Sequence, residues 1–366
     1  MEIQEVLIAQ KALEYGYENC GIIKVNEMEG FADKLRGRIK QAPGNDGLYG
    51  RLFRFVNLQE TYPWAKSLVV CIVSFCNYSI PEHLDGLIGK NHLVDVRSND
   101  ICKEYNASIA FENYLRSLGM EVATDRRFGV TAMRWAAQSA GLGVVRKNNF
   151  FYTERSGSWV HIEAFLTDRE MELKQDLTGN PCPQDCDKCI AACPTKSLSE
   201  PFTMSPAICI SPLTVREEDL IKKPNGRLMD KWIYGCDTCQ DACPYNANKW
   251  TQTEEFPGLA ELADTITLEK IILMDDERLA SLLASKFFYI DSARIWQWKV
   301  NALNAMFNAY DDRYADVIKA ALNDPNDQVR RAARVIAEQV HDAIEGRFEN
   351  VKHCMVHVNP ADAGEG

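Results

Sequence analysis

Hydrophobic residues recur with two alternating periods up to about residue 170. Val6, Ala9 and Leu13 lie at helical spacing, and Gly16 follows as a stop. The run from Lys66 to Val73 is short, continuous and β-branched, which predicts a strand buried on both faces. Ile101, Tyr105 and Ile109 mark one face of a helix expected to end near Gly119. A second helix is expected from about Val130 to Ala140, closed by Gly141, and Ser158 to Phe165 reads as another strand. From about 171 to 250 the periodicity fades and Cys, Pro and Asp take over, a composition that buries little apolar area and is held by metal. From about 256 the pattern is helical. Val329, Ala332, Ala333, Ile336, Ala337 and Val340 form one apolar stripe, and Asp324-Pro325 before it supplies a cap and a first-turn proline. Tyr314 to Val340 therefore reads as a helical pair of the HEAT type. One pair cannot bury both faces, so it is expected to stack on helices around Ile295 to Tyr310. The expected organisation is α+β and multi-domain: an α/β domain over 1–170, a ferredoxin-like insert over 171–255, helices over 256–346 and a loose tail over 347–366.

Charge and composition narrow the function. The formal net charge is −11, so the global field repels a phosphate backbone, and only a local basic patch could grip nucleic acid. From Arg313 to Gly346 five basic residues face six acidic ones, so Arg330, Arg331 and Arg334 read as a solvated helix face. The longest apolar run, Leu68 to Val73, is too short to span a bilayer, and the first twenty residues lack the order of a secretory signal. A cytoplasmic monomer without membrane contact is expected.

Thirteen cysteines in such a chain point to ligation, because disulfides rarely persist in a reducing compartment, and eight of them fall between Cys182 and Cys243. The first group runs Cys182-x3-Cys186-x2-Cys189-x3-Cys193-Pro194. Cys209 stands alone, and the second group is Cys236-x2-Cys239-x3-Cys243-Pro244. This resembles the C-x2-C-x2-C-x3-C-P run of bacterial two-cluster ferredoxins, whose fourth cysteine crosses to the other cluster. On that pattern Cys182, Cys186, Cys189 and Cys243 hold one [4Fe–4S] cluster, while Cys236, Cys239, Cys193 and Cys209 hold the other. A pair of zinc ribbons is the competing reading, and the doubled x3-Cys-Pro ending speaks against it. The first spacing carries one extra residue, at Pro183 or its neighbour. Cys71 and Cys76, five apart, face opposite sides of a strand, and Cys20 and Cys354 lack a sequence neighbour, so all four read as inert buried thiols.

Further segments resemble one family, the epoxyqueuosine reductases, cobalamin- and iron–sulfur-dependent enzymes related to reductive dehalogenases. Tyr62-Pro63-Trp64-Ala65-Lys66-Ser67-Leu68-Val69-Val70 looks like that family's first strand. Ala140-Gly141-Leu142-Gly143-Val144-Val145-Arg146-Lys147-Asn148 resembles its A-G-L-G-x-x-G-K-N turn, with Arg146 where the family has glycine. Gly157-Ser158-Trp159, Cys193-Pro194-Thr195, Cys209-Ile210-Ser211 and Tyr234-Gly235-Cys236-Asp237-x-Cys239-Gln240 follow in the family's order. The resemblance implies a nitroreductase-like α/β domain that clasps base-off cobalamin, and an external donor of ferredoxin or flavodoxin type feeding electrons through both clusters. Small residues at Gly141, Gly143 and Gly157 suit close approach to a flat corrin, with Asp100, Lys147, Asn148, Ser158, Trp159 and His161 as further cofactor contacts. No D-x-H-x-x-G motif is present, which agrees with a base-off mode.

The family's general-acid aspartate lies in a V-D-S-A-P segment. Counting back from Ala140, that position holds Arg127, two residues after Asp125. The candidates for proton transfer are therefore Asp125, Arg127, Cys102, Tyr105 and Tyr152, a tyrosine beside Arg127 or Arg146 being able to donate a proton. Against this, Tyr105 at helical spacing and His161 on a strand are equally at home as packed residues. The expected activity is two-electron reduction of an electrophile, either epoxyqueuosine in tRNA or another small molecule. A second reading is an electron-transfer protein that reduces a partner's corrinoid.

Overall fold

Leu68, Val70 and Ile72 project to one side of their strand, and Val69, Cys71 and Val73 to the other, and all six are buried. The computed structural model describes residues 2–41, 46–97, 100–176, 179, 181–216 and 229–347. The expected tail and Cys354 lie outside them. The chain forms two compact units that interleave along it, whereas the division expected from composition runs in sequence order. The first comprises Met1–Ile80, Leu93–Cys209 and Asp237–Ala260, and the second Pro81–His92, Ile210–Cys236 and Glu261–Gly366.

In chain order the first unit carries α1 (Glu2–Glu14), β1 (Asn19–Lys24), α2 (Gly30–Gln41), β2 (Ser67–Ser74), α3 (Lys103–Ser117), β3 (Val122–Ala123), α4 (Met133–Ser139), β4 (Val144–Val145), β5 (Phe151–Tyr152) and β6 (Val160–Thr167). Four strands make one antiparallel sheet in the order β1-β2-β6-β3, with β4 and β5 as a separate hairpin. The central β2 explains the continuous apolar run, because both its faces are covered. Leu68, Val70 and Ile72 pack with Ala136, Ala137 and Ala140, contributed by α4 and its C-cap. On the other face Phe165 of β6 meets Phe111 of α3 edge-on, with 5.3 Å between ring centres.

The helices stop where glycine predicts: Gly16, Gly119 and Gly141 all take positive φ, at 96°, 78° and 75°. Their buried faces differ from expectation. On α1 the buried residues are Glu5, Ile8 and Ala12, while Val6 and Leu13 are exposed. The segment is apolar on more than one side, so spacing alone could not choose the face. On α3 the buried stripe is Ser108, Phe111 and Leu115, and Ile101 precedes the helix, exposed. Cys20 and Cys71, read as unpartnered, sit opposite each other on β1 and β2 with their sulfurs 3.6 Å apart. Burial raises the Cys71 thiol well above the usual range, in keeping with an inert pair.

The Cys-rich stretch supplies only short elements: α5 (Lys188–Ala192), β7 (Leu198–Glu200), β8 (Thr203–Met204), α6 (Ile210–Val215) and α7 (Thr238–Asp241), of which α6 belongs to the second unit. No described helix is long and apolar enough to cross a membrane.

The second unit is helical where it is described beyond 261, with α8 (Leu268–Leu273), α9 (Asp276–Leu283), α10 (Trp296–Asn308), α11 (Ala315–Ala321) and α12 (Asp327–Arg347). α10 packs against α8 and α12, and α11 bridges the same two, so the predicted stripe from Val329 to Ala337 is buried. The first cap of α12 is Asn326 rather than Asp324-Pro325: the Asn326 side-chain oxygen accepts from the Gln328 N–H at 2.9 Å. Asp324 instead accepts from Lys299, whose ammonium lies 2.8 Å from it and 2.7 Å from Asp276. Both Lys299 and Asp324 are buried in the helical core. Removing one partner of a buried pair strands the other charge. Lys299→Ala is expected to destabilise this unit by roughly 3–5 kcal/mol, read as a lower urea midpoint, with Lys299→Met little better because Asp324 stays unpaired.

Candidate functional site

Lys147 organises the first ligating loop. Its ammonium donates to the carbonyls of Pro183, Gln184 and Cys186, each at 2.8 Å. The extra residue in Cys182-x3-Cys186 is thereby absorbed, as a turn closed by the Cys186 N–H on the Pro183 carbonyl at 3.2 Å. Cys189 follows in α5, and the four sulfur-bearing residues Cys182, Cys186, Cys189 and Cys243 line one cavity. Cys243 arrives from the second motif, as the crossing-over pattern requires. Burial, then the neighbouring Cys243, Cys182 and Cys186, push the Cys189 thiol up to about 11. Thiols gathered in this way ionise only when a metal takes over their protons' role.

For the second set, Cys193 packs with Leu198 and Cys189, with Cys239 and Met204 against them. Cys209 and Cys236 are half-buried, at the chain positions where the units change over. Among the described residues no three His, Cys, Asp or Glu converge on a single metal ion.

The segment around Cys239 and Cys243 is moored by residues nominated for other work. Asn148 donates to the Cys239 carbonyl at 3.2 Å and to the Tyr152 hydroxyl at 2.8 Å. The Ser158 N–H donates to the Asn246 side-chain oxygen at 2.9 Å, and its hydroxyl to the Gln240 side chain at 2.8 Å. Asn246 returns hydrogen bonds to the Ser158 hydroxyl and the Gln240 carbonyl. Tyr152, nominated as a proton donor, is buried with its hydroxyl against Cys243, and burial followed by that thiol raises its pKa.

The glycines follow the same logic. A side chain at Gly141 would strike the Gln175 carbonyl at 2.0 Å, at Gly143 the Tyr152 carbonyl at 2.3 Å, and at Gly157 the Asn246 side-chain oxygen at 2.3 Å. Each close approach is made by the chain itself. Trp159 is buried edge-on to Trp250, and His161 stacks on Phe75 at 4.6 Å. Lys147, Asn148, Gly157 and Ser158 thus brace the ligating segments, while Gly141 and Gly143 make room for the Gln175 and Tyr152 carbonyls.

The remaining candidates are scattered. Asp125 is exposed, its carboxylate accepting the N–H groups of Arg127 and Phe128 at 3.0 and 2.9 Å as a turn cap. Arg127 is exposed, with its carbonyl accepting from Arg97, which in turn grips the buried Asp95 through two nitrogens. Burial alone would raise Asp95; the Arg97 guanidinium overrides it and holds the carboxyl at about 2. Asp100 is exposed and Tyr105 half-buried. Cys102 is fully buried and donates to Glu104 at 2.7 Å, and burial followed by that carboxylate pushes its thiol up to about 11. Tyr78, which no motif marked, donates to both oxygens of Glu104 at 2.8 Å. Cys102 thus sits in a buried group with Glu104 and Tyr78. Tyr245 and Asn246 carry no sequence signal of their own, although the second Cys-Pro motif leads directly into them.

The 4Fe-4S double cluster binding domain family matches residues 182–246, which contain all eight cysteines. An epoxyqueuosine reductase of Cellulophaga algicola is 26% identical over 72% of this chain and 85% of its own length. One from Prochlorococcus marinus is 27% identical over 80% of this chain and 94% of its own. Among solved structures, the Bacillus subtilis epoxyqueuosine reductase, with its catalytic loop swung out of the active site, is similar with a TM-score of 0.74 and 21% identity, over 94% of this chain and 92% of that one. An epoxyqueuosine reductase crystallised with a tRNA-Tyr epoxyqueuosine-modified tRNA stem loop gives 0.72 and 20%, over 96% and 95%. Two clusters on crossed ligand sets make a specific expectation. Cys243→Ala and Cys239→Ala each lower iron per chain by about half, and the double variant removes nearly all of it, while Cys76→Ala leaves iron unchanged.

Proposed function

We propose that this chain, a relative of the epoxyqueuosine reductases, is an iron–sulfur oxidoreductase that carries out two-electron reduction of epoxyqueuosine in a tRNA stem loop, fed by a donor of ferredoxin or flavodoxin type. The observation that carries the reading is the cavity where Cys243 of the second motif joins Cys182, Cys186 and Cys189 of the first. Two cubanes held on such crossed sets supply one-electron transfer steps. The working division is the compositional one: the sheet-bearing stretch to about 170 for the substrate, 171–255 for the clusters, and a HEAT-like helical stretch over 256–346. The resemblance implies a nitroreductase-like domain and base-off cobalamin as the acceptor. Lys147, Asn148 and Ser158, which carry part of this resemblance, brace the cysteine loops, and the reading rests on the clusters.

A polyanionic substrate is supported by a basic group inside an otherwise acidic protein. Lys34 and Arg38 lie one turn apart on α2, and Arg134 lies on α4. The Arg38 guanidinium donates to the Asn149 side-chain oxygen, and Arg134 donates to the Asn149 carbonyl. None of the three pairs with a carboxylate among the described residues. Burial and the neighbouring Arg38 and Arg134 lower Lys34, and burial lowers the half-buried Arg38. Arg134 is exposed, open to an anion from solvent. Cations crowded without counter-charge are poised for phosphate. By contrast Arg330 is engaged by Asp327 and by the Asp324 and Pro325 carbonyls, in line with a solvated helix face.

Activity is tested with a stem loop carrying epoxyqueuosine, reduced ferredoxin and anaerobic protein, the product being queuosine. For the basic group, Arg38→Ala and Arg134→Ala are each expected to weaken stem-loop binding and to lower the slope of log affinity against log salt by about 1. A slope equal to that of the unaltered chain would remove these residues from the substrate site.

A further inference from the structure

Arg146 stands where the family's turn has glycine, and its surroundings give the substitution a purpose. The side chain is 3% exposed. Its guanidinium carbon lies 3.2 Å from the centre of the Tyr245 ring and 5.2 Å from that of Tyr152, and one terminal nitrogen is 3.9 Å from the Cys182 sulfur. Its Nε is buried without an acceptor, and no carboxylate pairs with it among the described residues. A guanidinium cannot shed its charge, and a buried charge without a counter-ion is strongly unfavourable. Stacking on Tyr245 offsets part of this, but a ring carries no net charge.

The missing anion is supplied by the cavity that Arg146 lines. Cys182, Cys186, Cys189 and Cys243 line it with Arg146, Lys147 and Lys188, and no acidic residue joins them. Lys147 already directs its donors at three backbone carbonyls. Arg146 is free to face the sulfurs. Four thiolates around a cubane leave it net negative, and reduction adds a further negative charge.

We infer that Arg146 is the counter-charge of the cluster held by Cys182, Cys186, Cys189 and Cys243, and that it raises the reduction potential of that cluster. The inference rests on the cluster assignment above. A fixed cation beside the sulfurs favours the reduced over the oxidised form, and a hydrogen bond to the Cys182 sulfur acts in the same direction. The glycine-bearing turn of the family provides no such charge, so this cluster sits higher in potential here than one built on that turn. Arg146 is a positioning and tuning residue, since it acts through the cluster and not on the substrate.

The test is a dithionite titration of the anaerobically reconstituted full-length chain, followed by electron paramagnetic resonance, with iron measured on the same samples. In Arg146→Gln and Arg146→Gly the equilibrium constant for one-electron reduction of one cluster is expected to fall about tenfold, equivalent to about 59 mV for a one-electron couple. The other cluster serves as the internal reference, and Arg146→Lys is expected to retain most of the original potential. Full iron with both potentials unchanged in Arg146→Gln overturns the inference. Loss of iron from Arg146→Gln with retention in Arg146→Lys supports it, because both side chains fill space and only lysine carries charge. Loss from both overturns it and makes Arg146 a shape requirement. An unaltered chain that takes up no iron overturns the cluster assignment itself, an outcome distinct from these.

Discussion

Four sulfurs brought to one cavity from two motifs are the constraint on which the first unit depends. Thiols buried side by side repel ionisation, as the raised Cys189 shows, and they offer little packing energy of their own. The loops around them contain short helices and few apolar contacts. Something else must hold them, and the α/β part supplies it with side chains from the β4–β5 hairpin and the turns beside it. Lys147, Asn148 and Ser158 reach the carbonyls and side chains of both ligating segments. The sheet thereby acts as a jig for the metal centre.

This inverts the most natural reading of the motifs. The Gly-Lys-Asn-like turn and the Gly-Ser-Trp strand start resemble a family, and a family resemblance invites a cofactor role. The glycines instead admit backbone and side-chain oxygens of the same chain, at Gln175, Tyr152 and Asn246. Among the proton-transfer candidates, Asp125 caps its own turn, and Cys102 belongs to a buried group with Glu104 and Tyr78.

What was legible in the sequence follows from how local each signal is. The central strand, the glycine stops and the stripe from Val329 to Ala337 were readable, because period and turn chemistry act within a few residues. The meeting of Cys243 with Cys182, Cys186 and Cys189 was readable because spacing reports on a shared geometry. The buried faces of α1 and α3 were not, since each depends on which neighbour covers the helix. The pairing of Cys20 with Cys71 needed the register of β1 on β2. Lys299 with Asp276 and Asp324, and Arg38 with Arg134 at Asn149, are long-range meetings of charges that no window along the chain contains.

The Lys147 clasp bears on the protein's life before any iron reaches it. Because backbone carbonyls rather than sulfurs receive its ammonium, the loop from Cys182 to Cys186 is templated without metal. The clasp therefore shapes the loop without occupying any thiolate that iron would need.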